Sequence, residues 1–215
     1  LIVSKPVIII GAGGHASVLI ATLKTLGRQI IGILNLDEAL VGKTMNGIPI
    51  IGNDNKVKDF SPATIELVNG LGSVSLPVKR KAIYMKFIND GYKFTAVIHP
   101  SATIAENVII NEGAQIMAGA IVQAGSTISI NAIINTGAIV DHDCQIGQHA
   151  HIAPGAVLSG DIQVGEMSHI GTGAIIIQGI KIGSNVIVGA GAVVIHNVKD
   201  CYKVVGNPAK AINNI

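Results

Sequence analysis

From Ile98 onward the chain places an aliphatic residue at every sixth position. Ile98, Ile104, Ile110, Ile116, Val122, Ile128, Ile134, Val140, Ile146, Ile152, Leu158, Val164, Ile170, Ile176, Ile182, Val188 and Val194 form a run of seventeen without an insertion. Ile, Leu, Val and Met fill about a third of that window, so chance gives such a run on the order of once in 10⁸ trials. Two residues before each aliphatic the chain is small or β-branched: Ala102, Ala114, Ala120, Ser126, Ala132, Ala138, Cys144, Ala150, Ala156, Ser168, Ala174 and Ala192. Three residues before it, Gly, Asn and Asp dominate, from Asn107 and Gly113 through Asn131, Asp143 and Asp161 to Gly191. A period of six is neither helical nor a simple strand alternation. It describes a short strand plus a corner: the aliphatic points inward, the small residue fills the interior beside it, and the third phase accepts positive φ. Three hexads close a triangular coil of about 18 residues, and coils stack roughly 4.8 Å apart through parallel hydrogen bonds. The pattern predicts a prism of about five coils, with the flanking segments as its caps.

The residues before the run follow another grammar. Val7–Ile10 reads as a buried parallel strand, followed by Gly11-Ala12-Gly13-Gly14-His15-Ala16 and an amphipathic helix to about Leu26. Further elements are expected as strands at 30–34 and 48–51, a short helix near 54–59 and a strand at 64–68. The loop Asn69-Gly70-Leu71-Gly72, a helix near 77–90 and a strand near 94–98 complete the unit. Strand, glycine turn and helix approximate the Rossmann arrangement, with Ala16 at the third glycine position. Gly11, Gly13 and Gly14 would let the backbone approach a pyrophosphate, which the helix N-terminus favours. A turn that served packing alone would not need the imidazole of His15. Asp37 could accept hydrogen bonds from a ribose or a uracil, and Asn69 and Gly70 are expected at the same substrate site. The chain therefore reads as a Rossmann-like α/β domain over 1–95 and a left-handed parallel β-helix over 96–215.

Composition narrows the function. Aromatics are 3%, charged residues 13%, there is no Trp, and glycines number 26; such a core must be built from Ile, Val, Leu and Ala in thin layers. The formal net charge of +2, without a basic block, gives no nucleic-acid footprint. Cys144 and Cys201 supply neither a disulfide framework nor metal spacing. Despite a mean hydropathy of +0.55, polar residues and glycines interrupt every apolar stretch well short of a membrane span. The opening residues lack the basic region, apolar run and cleavage site of a signal peptide, so a cytoplasmic protein is expected.

The pairs Ile146-Gly147, Val164-Gly165, Ile170-Gly171, Ile182-Gly183 and Val188-Gly189, with the closing Val205-Gly206-Asn207-Pro208-Ala209-Lys210, resemble the hexapeptide-repeat acyltransferases. With the Gly-x-Gly-Gly-His segment in front, nearly the whole chain is similar to the PglD/NeuD-like sugar acetyltransferases. That resemblance implies an acetyl-CoA-dependent N-acetyltransferase acting on the 4-amino group of a UDP-linked 4-amino-4,6-dideoxy sugar. It also implies a homotrimer with sites between neighbouring prisms. Sugar O-acetylation of the sialic acid type and a non-catalytic nucleotide-sugar-binding solenoid are the alternatives.

The chemistry lies in the polar residues that interrupt the repeat. The densest cluster is Asn135 to Cys144, followed by His149 and His151. His142 stands two residues after an inward aliphatic and should project outward near a corner. An amine attacking a thioester must lose a proton, and a neutral imidazole suits that task when a carboxylate fixes its tautomer. Asp143 could be that carboxylate or a plain corner residue, because Asp161 occupies the same phase one coil later. Gly160, directly above His142 one coil on, is a candidate backbone donor to an oxyanion. The family resemblance implies His142 as general base, Asp143 as its partner and His151 at the acetyl-CoA site, with Gly160, Thr172 and Ala190 lining the CoA channel and Asn135 nearby. His151 and His169, one coil apart, should stack. No convincing third ligand joins them, so no metal is expected. Cys144 falls in the inward phase and reads as core.

Overall fold

The computed structural model describes residues 4–214; Leu1–Val3, part of the opening segment read for a signal peptide, lie outside them. Strands β1 (Val7–Ile10), β2 (Ile30–Leu34), β3 (Thr44–Met45), β4 (Ile48–Gly52) and β5 (Glu66–Asn69) form a sheet in the order β3-β4-β2-β1-β5. All pairings are parallel except β3 with β4. Alternation along β1 decides the two layers. Val7 and Ile9 face Ala16, Leu19, Ile20 and Leu23 of α1 (Gly14–Thr25). Ile8 and Ile10 face a cluster holding Phe87 of α2 (Val78–Asn89), with Tyr92 and Phe94. Both helices end in the same cap: Gly27 and Gly91 take positive φ, and Arg28 N and Tyr92 N donate back to Leu23 O and Phe87 O. The helix boundaries fall within two residues of expectation. The two-residue β3 and a 3₁₀ turn at Glu38–Leu40 are additions that hydrophobic periodicity does not mark, being too short to show a period.

The strand expected over 94–98 is in fact a junction. Leu67 N donates to Lys93 O and Thr95 N donates to Leu67 O, so the chain first lines β5, then turns into the first coil at β6 (Val97–Ile98). From there seventeen two-residue strands, β6 through β22 (Val193–Val194), recur at the period of the repeat. Each of β6 to β19 pairs with the strand one coil on, as in Ile133↔His151 and Ile139↔Val157. The second residue of every strand is the aliphatic of the repeat. The corner positions from Asn107 to Gly191 all have positive φ, as the third phase predicts. His149 (φ +59°) and Met167 (φ +61°) occupy that phase too, although neither is Gly, Asn or Asp. Both are buried, and His149 packs edge-on against Tyr84 of α2, so contact with the N-terminal unit holds a corner that its side chain does not favour.

The result is a left-handed parallel β-helix with three faces. The first carries β6, β9, β12, β15, β18 and β21, the second β7, β10, β13, β16, β19 and β22, and the third β8, β11, β14, β17 and β20. Inside, the small phase is buried, Ala132, Ala138, Cys144 and Ala150 being wholly inaccessible. Ser126 and Ser168 satisfy their hydroxyls on the backbone. The glycine of the family pair has a steric cause: a Cβ on Gly147 would lie 2.7 Å from Val164 O, and one on Gly171 2.6 Å from Val188 O. Strands β23 (Tyr202–Val205) and β24 (Lys210–Asn214) extend the first face at the C-terminal end. The N-terminal unit covers the first face through α1, α2 and the loop after β5.

Candidate active site

β13 (Ile139–Val140) runs into the corner that joins the second face to the third. Asp141 Oδ1 accepts from the amide of His142 at 2.7 Å and fixes the turn. The neighbouring side chains, His142 and Asp143, are exposed and joined, Nδ1 to Oδ2, at 2.9 Å. Asp143 is thus both things the sequence allowed: its φ of +59° makes it a corner residue, and that same backbone turn swings its carboxylate onto the imidazole. A carboxylate only accepts, so Nδ1 carries the proton and Nε2 offers its lone pair. The Asp143 hydrogen bond, helped by the negative charges of Asp141 and Asp161, raises the His142 pKa above the ordinary 6.5. Gly160 sits one coil above, where Asp161 N donates to His142 O. It is buried, and its N–H finds no acceptor among the described residues. Cys144, next in sequence, points inward; its thiol donates to Ser159 O, and burial pushes its pKa to about 11, so it is no nucleophile.

His151 lies elsewhere. It projects from β15 (His151–Ile152) on the first face, under the loop that follows β5. Its tautomer follows from its neighbours. The amide of Thr136 donates to Asn135 Oδ1 at 2.8 Å, so Asn135 turns its NH₂ group toward His151 Nε2 at 3.0 Å. Nδ1 of His151 then holds the proton and donates to Ser73 Oγ at 2.9 Å, which leaves the serine hydroxyl to reach His169 Nδ1 at 3.4 Å. The two rings stack edge-to-face at 5.0 Å, in register as their one-coil spacing predicts. Burial holds both neutral at pH 7, His169 near 4 and His151 well below its usual value. Thr172 and Ala190 are exposed on the corner between first and second faces, in one column above Thr136. The residues expected around acetyl-CoA therefore divide. His142, Asp143 and Gly160 share one long edge of the prism; Asn135, His151, Thr172 and Ala190 stand at the other, with the second face between them.

The glycine turn of the N-terminal unit separates packing glycines from open ones. A Cβ on Gly11 would meet Leu71, and one on Gly70 would lie 2.8 Å from Ile10 O, but Gly13 and Gly14 have nothing within 4 Å of theirs. Gly13 is the N-cap of α1 without a side-chain cap, so the first-turn N–H groups face open space. His15 is bound at 2.7 Å to Gln115 Oε1, whose own amide donates to Asn69 O. Burial, then the Arg80 charge, lowers the His15 pKa to about 4. The Asn69 side chain is committed inside the protein, donating to Arg80 O and Asn131 Oδ1 and accepting from Leu71 N. Asp37 is exposed and caps the 3₁₀ turn through Ala39 N. Three residues that the sequence reading passed over organise this region: Gln115, Ser73 and Arg80. Aligning the outward strand residues coil by coil exposes the first of them, because Gln115, His151 and His169 interrupt Val97, Ile133 and Ile187 on the first face alone.

Among the described residues no group of three His, Cys, Asp or Glu side chains is placed to hold a metal, and no helix is long and apolar enough to cross a membrane. The α/β unit with its open helix N-terminus, joined to a hexapeptide-repeat prism bearing a His–Asp pair, defines the class of β-helical acetyltransferases. The comparisons agree. Residues 6–87 match the family model described as the PglD N-terminal domain. The acetyltransferase domain of PglB from Neisseria gonorrhoeae FA1090, in complex with acetyl coenzyme A, is similar at 39% identity and a TM-score of 0.90, over 97% of this chain and 100% of that one. PerB from Caulobacter crescentus, in complex with CoA and GDP-perosamine, is similar at 37% identity and a TM-score of 0.90, over 97% of both chains. WeeI from Acinetobacter baumannii AYE matches at 26% identity with a TM-score of 0.87, over 97% of this chain and 100% of that one. The chain belongs to the PglD family and is an acetyl-CoA-dependent acetyltransferase.

Proposed function

We propose that the protein transfers acetyl from acetyl-CoA to the 4-amino group of a UDP-linked 4-amino-4,6-dideoxy sugar, with His142 as general base. One observation carries the reading: the His142 imidazole, oriented by Asp143 through Nδ1, presents an unprotonated Nε2 beside the free N–H of Gly160. The attacking amine gives its proton to Nε2 as it adds to the thioester carbonyl, and the Gly160 N–H, left without a backbone acceptor, would bind the oxygen that becomes negative. Asp143 stabilises the imidazolium, which then returns the proton to the departing thiolate. No acyl-enzyme is needed, since the one cysteine near the base is buried. The first turn of α1, with Gly13 and Gly14 open, suits the sugar nucleotide's diphosphate, and Asp37 lies on the loop after β2 where a ribose or base would rest. PerB, 37% identical, binds CoA and a nucleotide-linked amino sugar.

Because the two halves of the expected site stand on opposite edges of the second face, we further propose that they meet between copies. The His142 edge of one prism lies against the Asn135–Thr172–Ala190 edge of the next, in a homotrimer. Release of free thiol from acetyl-CoA, measured against UDP- and GDP-linked 4-amino sugars, free sialic acid and simple amines, tests the reading. Saturable turnover with the UDP-linked amine is expected. Preference for the GDP sugar would overturn the carrier, and preference for sialic acid the N-acetyl assignment. His142→Ala should lower kcat about 10²- to 10⁴-fold with the fold intact; near-wild-type turnover would sink the base.

A further inference from the structure

The His142 and Asp143 side chains each rest against a glycine, one on the coil above and one on the coil below. Gly160 is the glycine above His142; a Cβ there would overlap Nε2 and Cε1 of the imidazole and lie 2.9 Å from Cδ2. Gly125 is the glycine below Asp143; a Cβ there would overlap Oδ1 and lie 3.3 Å from Cγ. Backbone geometry alone does not require glycine at either place. Gly160 is not among the residues with positive φ, and the same corner position holds His142 one coil below and Gln178 one coil above. Gly125 does have positive φ, +75°, yet Asn107, Asn131, Asp143, Asp161 and Asn185 fill equivalent corners. Gly179, on the same edge with the same φ of +75°, would set its Cβ in open space, with nothing within 4 Å.

We propose that Gly125 and Gly160 are positioning residues of the acetyl transfer: the two missing side chains leave the only space in which the imidazole and the carboxylate can stand in their bonded arrangement. The proposal rests on His142 as base and deepens it. An added methyl at 160 turns the ring away from the Gly160 amide while keeping that N–H. An added methyl at 125 drives the Asp143 carboxylate off Nδ1. Both side chains are half-exposed or more, 50% and 66%, so they swing into solvent instead of breaking the coil.

The test compares G125A, G160A and G179A by thermal midpoint, kcat, KM and the pH dependence of kcat/KM. G160A should keep the wild-type midpoint and lose kcat about 10- to 100-fold, a share of what a general base contributes, with both KM values nearly unchanged. G125A and G179A carry the same backbone strain and should lower the midpoint alike, but only G125A should lose kcat about 10-fold or more. In G125A the acid limb of the profile should also move to lower pH, because His142 loses its chief hydrogen bond. In an Asp143→Ala background G125A should cost no further kcat. Wild-type kcat in G160A, equal kinetics in G125A and G179A, or full additivity with Asp143→Ala would overturn the proposal. Failure of the underlying base assignment would show separately, as turnover surviving in His142→Ala.

Discussion

At the scale of single residues, the pH profile reports the dyad most directly. His142 must be neutral to accept a proton, and its pKa lies above 6.5 because Asp143 binds Nδ1 and Asp141 and Asp161 add negative charge. The rate should therefore fall as pH drops through a value higher than that of a free histidine. Asp143→Ala removes the largest cause, so the inflection of kcat/KM should move to lower pH while the plateau rate falls, the imidazolium having lost its counter-charge. An unchanged inflection would separate Asp143 from the base. His142 stood out in the sequence as an outward imidazole beside a run of inward aliphatics, whereas Asp143, in the corner phase with Asp161, was separable from a plain corner residue only by its bond to the imidazole. The tautomer of His151 was not legible, since it depends on Thr136, Asn135 and Ser73, residues that only the coil and the docked loop bring together.

At the scale of elements, the joint between the α/β unit and the first face combines apolar packing, Val97 and Met117 of the coils being set against α1, with a buried polar network. The buried Arg80 guanidinium donates to Asn131 O, Asn69 O and Leu71 O, while its Nη2 has no partner among the described residues; burial pulls its pKa down to about 9. Arg80→Ala would leave three carbonyls without that donor, a loss on the order of 3 kcal/mol by equilibrium denaturation. Around it stand four neutral imidazoles. His15, His149 and His169 have pKa values lowered to about 4, and His151 lies well below its ordinary value, burial being the largest cause for each. In the unfolded chain these groups take up protons below pH 6.5, whereas in the folded chain they stay neutral until about 4. Stability should thus be insensitive to these groups above pH 6.5 and fall between 6.5 and 4, by up to about 1.4 kcal/mol per pH unit for each group. A thermal midpoint that stayed flat from pH 7 to 4.5 would contradict this. The sequence showed every long element here, because β1 and β2 are short continuous apolar runs and α1 and α2 carry spaced apolar positions. It did not show the joint, whose partners lie far apart along the chain, as His15 and Gln115 do, and obey no local period.

At the scale of the molecule, the three faces of the prism differ in what their outward residues can meet. The first face is covered by the α/β unit. The third shows Ile109 on its first coil and then Thr127, Gln145, Gln163 and Lys181, which suit water. The second shows Ile121, Ile139, Val157, Ile175 and Val193 on successive coils, a β-branched strip with Ile175 43% exposed. An apolar strip of that length is what the proposed homotrimer would bury. The edges flanking it are unlike: one carries His142 and Asp143, the other Thr172 and Ala190. A contact that joins one kind of edge to the other is heterologous, and it must close into a ring or grow into a filament. In the proposed homotrimer a ring of three prisms would turn the second face of each inward and set each His142 beside a neighbour's Asn135 edge. Ile139→Glu and Ile175→Glu should therefore yield monomers by sedimentation, with far-UV circular dichroism unchanged, because neither side chain enters the prism core. The same variants should lose acetyl transfer although no residue of the dyad is altered. Mixing His142→Ala chains with chains disabled at Thr172 by a bulky substitution should restore part of the activity, through rings in which one intact edge of each kind adjoins. Monomers that kept full turnover would place the whole site within one chain and remove the reason for the ring.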